Sequence, residues 1–335
     1  MPESREVHLV ARPDGLPKPE DFSIALVEVP DPGPGEVLIE NLYLSVDPAM
    51  RPRLTAGYEL DQPMEGAAIG RVVASGASRA SGASGLAEGD LVLHGHGLRE
   101  YVVSTERGLR KLEPVPGHPI TVHMHVLGGT GFTAYGGMLH VARLSGDDKV
   151  FVSTAAGAVG SVAAQIAKIK GCWVVGSTGS PDKAAWLRDE LGLDVAIDYR
   201  ATPINRALRE AATAGIDVYF DNVGGDHLDA ALARMSTLGR VAVCGMISGY
   251  NERGARTTVH NLANVIYGRI EIRGFTVADF ADRRDEFVED MSEWLAEGRI
   301  RYRETILEGI ESTPRALIGL FQGLNTGKML VRLGE

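Results

Sequence analysis

The second half of the chain alternates short apolar runs with segments of helical periodicity, and this alternation limits the possible fold more than any other feature. A strand is predicted over Lys149–Thr154, and a helix with apolar residues three and four apart is predicted over Ala158–Lys170. Strands that alternate with helices of about 10–15 residues indicate a doubly wound parallel sheet. The predicted series continues with strands Trp173–Thr178, Val195–Tyr199, Asp217–Asn222, Arg240–Cys244 and Ile270–Phe275, and with helices Pro181–Leu191, Pro203–Ala212 and Leu228–Met235.

The first part of the chain lacks this alternation and is predicted to be rich in β-strands. Strand candidates are Val37–Val46, Gly66–Ser75 and Asp90–Ser104, with glycine at the breaks. The stretch Gly76–Gly89 has little apolar content and predicts a surface loop. The last part of the chain is predicted to contain a long helix over Ala281–Glu297, a second helix capped by Ser312, and a final strand over Lys328–Leu333.

Composition and charge exclude several classes of function. The 34 Lys and Arg residues against 44 Asp and Glu residues give a formal charge of −10, which speaks against nucleic acid or an anionic membrane as a partner. The sequence contains no run of about 18 apolar residues, so no transmembrane helix is expected. The polar start of the chain does not predict a signal peptide. Cys172 and Cys244 are far apart, so we expect free thiols and a reducing, cytoplasmic location.

A glycine motif lies at the first predicted strand-to-helix junction. Ala155, Gly157 and Gly160 fit the pattern A-x-G-x-x-G, a variant of the dinucleotide fingerprint. In that fingerprint glycine lets the backbone approach the pyrophosphate, which lies on the positive N-terminus of the helix. Because the motif follows a strand and begins a helix, we expect a dinucleotide here. A tight glycine turn without a ligand is the alternative.

The end of the second predicted strand indicates which dinucleotide is bound. An NAD site usually has an acidic residue about 20 residues into the unit, where this chain has Ser177. The helix that follows begins with the N-cap Ser180, and its first turn carries Lys183, a positive charge for a 2′-phosphate. Asp182 argues the other way, although an acidic residue also favours a helix N-terminus. We therefore expect NADP(H), with a solvated surface lysine as the alternative for Lys183.

Metal ligands are sparse in the sequence. Neither cysteine lies in the N-terminal part, where a catalytic zinc site would need one, and two cysteines cannot form a four-cysteine site. His94 and His96 share one face of a predicted strand, as do His123 and His125, so the two pairs could in principle meet at a metal. No cysteine or carboxylate accompanies them at a recognised spacing. We therefore expect no metal.

Several motifs along the chain resemble one enzyme family. The sequence is similar to the zinc-independent medium-chain dehydrogenase/reductases, in the group of prostaglandin reductase, leukotriene hydroxydehydrogenase and curcumin reductase. The strings Asp-Asn-Val-Gly-Gly and Ile-Ser-x-Tyr-Asn are specific to this group. The resemblance covers nearly the whole chain and runs through Leu44–Arg51, Gly131–Tyr135, Ala155–Ser161, Asp221–Gly225, Cys244–Asn251 and Asn325–Lys328.

The resemblance implies a two-domain NADPH-dependent enzyme that reduces carbon–carbon double bonds of α,β-unsaturated ketones and aldehydes. A GroES-like catalytic domain would comprise residues 1–122 and 300–335, and a Rossmann domain over residues 123–299 would bind NADP. The resemblance also implies a cytoplasmic homodimer. On residue chemistry alone, two alternatives stay open: a quinone reductase of the same superfamily, and a catalytically silent NADPH-binding protein.

The resemblance also implies site residues. Tyr250 would be the catalytic residue, because its phenol would stand beside the substrate carbonyl and stabilise an enolate. A packed loop tyrosine is the alternative, and for Asn222 it is a structural turn. Many members have Tyr where this chain has Ala49, which predicts a larger pocket, with Tyr58 as a candidate aromatic wall or a packed loop residue. Cofactor contacts are implied at Gly157, Ala158, Val159, Gly160, Ser161, Lys183, Tyr199, Asn222, Cys244, Gly245, Ile247, Ser248, Tyr250, Phe275, Thr276, Val277 and Asn325.

Overall fold

A computed structural model describes residues 2–76, 86–252 and 258–334 of the chain. The strands are β1 Glu3–Leu9, β2 Phe22–Glu28, β3 Glu36–Val46, β4 Ala68–Ser75, β5 Leu91–His94, β6 Tyr101–Thr105, β7 Arg110–Lys111, β8 Lys149–Val152, β9 Trp173–Thr178, β10 Val195–Asp198, β11 Ile216–Asp221, β12 Met235–Val243, β13 Glu271–Gly274, β14 Glu304–Glu308 and β15 Lys328–Arg332. The helices are α1 Met50–Ala56, α2 Gly129–Tyr135, α3 Ala158–Ile169, α4 Pro181–Asp189, α5 Ile204–Ala211, α6 Gly225–Leu232, α7 Asn264–Gly268, α8 Arg284–Ala296 and α9 Thr313–Gln322.

The chain divides into two compact units. The first contains the residues up to Met124, the segment Glu304–Asn325 and the residues from Met329 onward. The second contains His125–Arg303 and the short segment Thr326–Lys328. The C-terminal tail therefore belongs to the first unit except for three residues that return to the second.

The first unit is built on an antiparallel sheet. Its strand order is β14-β15-β3-β4-β5-β7, and β6 also pairs with β3. The predicted strand Asp90–Ser104 is in fact two strands, β5 and β6, separated at its glycines. One face of the sheet packs on α1 and α9, with Leu44, Leu54 and Leu317 almost fully buried between them. This confirms the β-rich character expected for the first part of the chain.

The second unit contains a parallel sheet of six strands among the described residues. Its order is β10-β9-β8-β11-β12-β13. Strands β9 and β10 lie on one side of β8, and β11, β12 and β13 lie on its other side. In a doubly wound sheet, ligands bind at the carboxyl edge where the strand order reverses. The predicted fold class is confirmed, and the edge formed by β8 and β11 is where a ligand is expected.

Four local predictions were wrong, each for an identifiable reason. Helix α6 begins at Gly225, because Gly224 has φ +69° and starts the turn early, and the predicted last helical residue, Met235, begins β12. The long helix α8 begins only at Arg284, since Phe280 is buried with non-helical φ and ψ in a preceding 3₁₀ segment. Ser312 precedes α9 but donates to the Gly309 carbonyl (2.8 Å) rather than capping the helix. His123 lies in a 3₁₀ helix, not a strand.

Two further expectations concern the predicted loop and membrane-spanning helices. Of the predicted loop Gly76–Gly89, residues 77–85 lie outside the described residues. In the described part of the chain, no helix is both long and apolar enough to cross a lipid bilayer.

Candidate functional site

The turn between β8 and α3 is tight and leads into an uncapped helix. Thr154 has φ +51°, a left-handed conformation that is unusual for a residue other than glycine. Gly157 is the N-cap of α3, and no side chain caps the helix. A Cβ on Gly160 would lie 2.3 Å from the carbonyl oxygen of Thr154, so only glycine fits. The N-terminus of α3 is therefore left uncapped beside a tight turn, and this arrangement binds anions.

Two serines near this turn point away from it. Ser161 and Ser177 have no exposed surface, and their hydroxyl oxygens find no hydrogen-bond partner. The sequence placed Ser161 among the cofactor contacts and Ser177 at the open end of β9. The structure places both side chains inside the second unit, so a contact through Ser161 can involve only its backbone.

Two basic side chains lie close together at the carboxyl ends of β9 and β10. Lys183 follows the Ser180 cap, whose oxygen accepts from its N–H at 3.4 Å. Burial lowers the pKa of Lys183, and the positive charge of Arg200 lowers it further. A Cβ on Gly179 would lie 2.9 Å from the Tyr199 hydroxyl and 3.2 Å from Arg200 Nε. Glycine at position 179 thus lets Tyr199 and Arg200 approach the backbone closely. Two neighbouring cations that repel each other fit a dianionic 2′-phosphate.

Arg200 was missed by the sequence reasoning. The signal was available, because Arg200 directly follows the predicted strand Val195–Tyr199 at the edge where ligands bind. Asp182, the residue that argued against NADP, is exposed in the first turn of α4, where an acidic side chain favours the helix dipole.

A buried carboxyl group, Asp221, organises the end of β11. Its Oδ1 accepts from the Tyr219 hydroxyl (2.6 Å) and from the N–H groups of Val223 (2.9 Å) and Gly224 (2.8 Å). Its Oδ2 is buried without a hydrogen-bond partner. Burial raises the pKa of Asp221, although the bonds to Oδ1 oppose that shift. The sequence reasoning used Asn222 and overlooked this neighbour, whose position between an apolar strand and two glycines was the available signal.

Asn222 joins the ends of β8 and β11. Its Nδ2 donates to the Ser153 carbonyl at 2.7 Å, and its N–H donates to the Ser153 hydroxyl at 2.9 Å. Ser153 Oγ also lies 3.1 Å from Tyr219 Oη, and because the Tyr219 proton goes to Asp221, the Ser153 hydroxyl donates in this pair. The side-chain amide of Asn222 is therefore held at the junction of the two central strands.

The loop after β12 is fixed to the end of β11 by backbone hydrogen bonds. The N–H groups of Cys244 and Gly245 donate to the Asp221 carbonyl at 2.8 and 3.0 Å, and the Ser248 hydroxyl donates to the Val223 carbonyl at 2.6 Å. Burial raises the pKa of the Cys244 thiol to about 12, so this thiol is neutral. Ile247 lies in the same loop and donates its N–H to the Asn222 carbonyl at 3.3 Å.

Tyr250 ends this loop with its hydroxyl turned back toward the strands. Its Oη accepts from the N–H of Met246 at 3.3 Å. Among the described residues, no hydrogen bond takes up the proton of this hydroxyl. A hydroxyl that accepts from the backbone keeps its own proton available to a further acceptor.

The segment that follows β13 is anchored by aromatic packing. The Phe275 ring meets the Phe220 ring edge-on at 6.1 Å. Gly137, in the π-helix Gly136–Val141, allows this contact, because a Cβ there would lie 2.5 Å from the Phe275 ring. The next residue, Thr276, donates its N–H to Asp279 at 2.9 Å, and Thr276 and Val277 are exposed.

Three predicted site residues belong to the first unit. Ala49 is exposed at the N-terminus of α1. Tyr58 is buried, and its hydroxyl donates to the Glu65 carbonyl at 2.7 Å, while burial raises its pKa to about 12. These contacts favour the packed loop tyrosine that the sequence left open. Asn325 is half-buried near the end of this unit.

The histidines considered as metal ligands have other partners. His94 Nε2 bonds to Asn41 Oδ1 at 2.9 Å, and burial lowers its pKa to about 4. The N–H of His96 donates to His94 Nδ1 at 3.1 Å, and His123 Nε2 bonds to the Glu113 carbonyl at 2.8 Å. In residues 2–76, 86–252 and 258–334, no group of three or more His, Cys, Asp or Glu side chains is placed to hold a metal ion.

Within the second unit, the predicted contacts converge on one edge of the parallel sheet. An uncapped helix N-terminus, the cations Lys183 and Arg200, and the linked ends of β8, β11 and β12 all lie at the carboxyl edge. These features fit a dinucleotide that carries a 2′-phosphate. They define the class of the second unit as a nucleotide-binding domain of an oxidoreductase.

Comparison with known proteins gives the family. Residues 5–112 match the family model described as the N-terminal domain of oxidoreductase, and residues 158–297 match the one described as zinc-binding dehydrogenase. The chain is 39% identical to prostaglandin reductase 1 of Bos taurus, over 95% of each protein. It is 38% identical to the NADPH-dependent curcumin reductase of Escherichia coli, over 97% of this chain and 95% of the relative.

A solved structure agrees in fold and in length. The crystal structure of CurA in complex with NADPH from Vibrio vulnificus has a TM-score of 0.91 and 37% sequence identity, and each chain covers 99% of the other. The chain therefore belongs to the medium-chain dehydrogenase/reductase family, in the group that contains prostaglandin and curcumin reductases.

The role of Asp221 can be tested by two substitutions that differ in one acceptor atom. Asp221→Ala leaves the Tyr219 hydroxyl and two buried N–H groups without their acceptor, so we expect the free energy of unfolding to fall by about 3 kcal/mol or more. Asp221→Asn keeps Oδ1 and should cost much less. Chemical denaturation of the three proteins measures both values, and equal losses in the two variants would refute this role.

The pH dependence of the same proteins gives an independent measurement. The pKa of Asp221 is raised in the folded state, so its contribution to stability is fully present at low pH and is lost as the pH rises through that pKa. Asp221→Asn has no such group. We therefore expect the wild type to lose free energy of unfolding relative to Asp221→Asn as the pH rises above about 4.

Proposed function

We propose that this protein reduces the carbon–carbon double bond of α,β-unsaturated ketones and aldehydes, with NADPH as the hydride donor and without a metal ion. The observation that carries the proposal is the carboxyl edge of the second unit, which combines a dinucleotide turn, the two cations Lys183 and Arg200, and a Tyr250 loop that is hydrogen-bonded to the end of β11. The names of the prostaglandin and curcumin reductases to which the chain is similar support the same chemistry.

Different residues of the second unit bind different parts of NADPH in this proposal. The turn Gly157–Ser161 holds the pyrophosphate, and Lys183, Tyr199 and Arg200 hold the 2′-phosphate. Asn222, the loop Cys244–Tyr250 and the segment Phe275–Val277 orient the nicotinamide end. NADPH, when bound, supplies a hydride to the β-carbon of the substrate.

Tyr250 stabilises the charge that this reaction creates on the substrate. Hydride addition to the β-carbon of an enone produces an enolate, and a preorganised hydrogen-bond donor stabilises its oxygen. The Tyr250 hydroxyl meets this need because it accepts from the Met246 N–H and keeps its own proton for the substrate oxygen. A neutral donor of this kind replaces the Lewis acid on which a zinc enzyme would rely.

The first unit supplies the substrate side of the reaction. We place the catalytic domain in residues 1–122 and 300–335 and the NADP-binding domain in residues 123–299. Ala49 leaves room where many relatives have a tyrosine. Tyr58 is not assigned to the pocket, because it is buried and its hydroxyl bonds to the Glu65 carbonyl. The two free cysteines favour a reducing, cytoplasmic location.

The reaction and the role of Tyr250 can be tested together. We expect the wild type to oxidise NADPH with 4-phenyl-3-buten-2-one and to release the saturated ketone, and to react more slowly with a simple quinone. Tyr250→Phe should lower kcat on the enone by about 10²–10³, because one enolate donor is lost, while the Kd for NADPH is retained. Stopped-flow absorbance and product analysis measure these values.

Tyr101→Phe is the matched control for this variant, because its hydroxyl bonds to the surface residue Glu40 in the first unit. It should leave kcat unchanged. Faster turnover with the quinone would assign the protein to the quinone reductases. Tight NADPH binding without turnover of enones, enals, quinones or nitroalkenes would indicate a catalytically silent protein.

The choice of NADPH over NADH is predicted to depend on both cations. Arg200→Ala removes a charged contact to the 2′-phosphate, so we expect the Kd for NADPH to rise by about 10-fold or more while the Kd for NADH is unchanged. Lys183→Ala should act in the same direction. Fluorescence titration measures both constants, and Arg188→Ala, at the exposed end of α4, is the control. An equal change for NADPH and NADH would contradict this assignment.

We also propose that two copies of the chain associate through β13. This edge strand is exposed along its length, and the neighbouring Ile266 and Tyr267 are 74% and 81% exposed. If two copies pair antiparallel about Ile272, Glu271 of one copy faces Arg273 of the other. Open hydrogen-bonding groups, apolar neighbours and complementary charges together fit a second copy.

Light scattering coupled to size-exclusion chromatography tests this association. The wild type should have the mass of a dimer, and the double variant Ile266→Asp and Tyr267→Asp should have the mass of a monomer. Leu26→Asp, which alters an exposed leucine on β2, is the control and should remain dimeric. A monomeric wild type would refute the proposal.

A further inference from the structure

The C-terminal tail returns to the second unit for three residues, Thr326–Lys328, and contacts the dinucleotide turn there. The N–H of Gly327 donates to the Ala156 carbonyl at 2.8 Å. Gly157 and Gly327 also form an isolated parallel β-bridge. The backbone of the turn is therefore supported by a segment that lies far away in the sequence.

Only glycine fits at position 327. Its φ is +68°, which other residues rarely adopt, and a Cβ would lie 1.8 Å from the backbone oxygen of Arg303. The N–H of the next residue, Lys328, donates to that same oxygen at 3.0 Å. A side chain at Gly327 must therefore push the segment away from Arg303, from the turn, or from both.

The segment Arg301–Arg303 is bonded to α3, the helix that begins at the turn. Gln165, on α3, is 3% exposed, and its side chain makes a pair of bonds to the backbone of Arg301. Its Nε2 donates to the Arg301 carbonyl at 2.8 Å, and its Oε1 accepts from the Arg301 N–H at 2.8 Å. The contacts thus form a closed ring. It runs from the turn to Gly327 and Lys328, then to Arg303 and Arg301, and through Gln165 back to α3.

His125, the first residue of the second unit, contacts the start of α3. His125 Nε2 lies 3.2 Å from the carbonyl oxygen of Ala158, the first residue of α3. The ring of His125 also meets Tyr302 edge-on at 5.5 Å. Each segment by which the chain enters or leaves the second unit therefore contacts the turn, the start of α3, or the residues fixed to them.

We propose that Gly327 is a positioning residue for the cofactor: it holds the tail segment against Ala156 and Gly157 and so keeps the turn in the shape that binds the pyrophosphate. This inference rests on the proposed binding of the pyrophosphate at Gly157–Ser161. The ring of contacts transmits the occupancy of the turn to Arg301–Arg303 and Thr326–Lys328.

The test compares two ligands that use different parts of the site. NADPH needs both the turn and the 2′-phosphate edge, whereas 2′-AMP needs only that edge. Gly327→Ala should raise the Kd for NADPH by about 10-fold or more, the loss of roughly one charge-assisted hydrogen bond, and leave the Kd for 2′-AMP unchanged. Calorimetric titration measures both constants. An unchanged Kd for NADPH would overturn the proposal, and so would an equal loss for both ligands, which would indicate general damage.

Three further variants separate the possible causes of failure. Gly323→Ala introduces a side chain at φ +76° at the C-terminus of α9, in the first unit, and should leave both constants unchanged. Gly157→Val places bulk in the turn itself and should weaken NADPH only. If Gly157→Val binds NADPH normally, the proposed pyrophosphate site is wrong; if it weakens NADPH and Gly327→Ala does not, only the role of Gly327 is wrong. Gln165→Ala breaks the ring of contacts at Arg301 instead of at Gly327. It replaces Gly327→Ala in the test if Gly327→Ala does not fold, and it should likewise raise the Kd for NADPH while leaving the Kd for 2′-AMP unchanged.

Hydrogen exchange on the wild type measures the same coupling without a substitution. NADPH should slow exchange at the N–H groups of Gly327, Lys328 and Arg301, which are bonded within the ring, while 2′-AMP should not. No difference between the two ligands at these three amides would contradict the proposal.

Discussion

The carboxyl edge of the second unit depends on one buried acceptor, Oδ1 of Asp221. This atom receives the Tyr219 hydroxyl and the N–H groups of Val223 and Gly224, while the backbone carbonyl of Asp221 receives two N–H groups from the loop after β12. In a parallel sheet, neighbouring strands end side by side, but nothing in the sheet itself fixes the loops that follow. Asp221 supplies that connection, at the cost of burying a carboxyl group with one oxygen unpartnered.

The dinucleotide turn is held on two sides for the same reason. Ser153 lies directly before it and bonds to Asn222 at the end of β11, while Gly327 bonds to Ala156 from the tail. A pyrophosphate is bound by backbone N–H groups, and these have no side-chain torsion by which to adapt to a ligand. The turn must therefore be preorganised, and contacts from distant segments fix Thr154 in a left-handed conformation that the local sequence would not favour.

The sequence predicted what is encoded locally and missed what depends on distant contacts. The strand and helix series and the glycine turn follow from periodicity and spacing, and the structure shows them in the expected order. Arg200, Asp221 and Gly327 acquire their roles only when the ends of β8, β10 and β11 and the returning tail are brought together. The wrong start of α8 has the same origin, because Phe280 is buried against the rings of Phe132 and His140, which are distant in the chain.

The Tyr250 hydroxyl connects this architecture to the proposed chemistry. A phenol can stabilise an enolate only if its O–H points to the substrate rather than into the protein. The Met246 N–H occupies a lone pair of Oη, and Met246 is itself held by the loop that Asp221 fixes to β11. In the proposed reaction, the buried carboxyl group would therefore act through the backbone, by orienting the Tyr250 loop without contacting the substrate. The metal-free mechanism that we propose needs this order, because directed hydrogen bonds would then supply what a metal ion supplies through its charge.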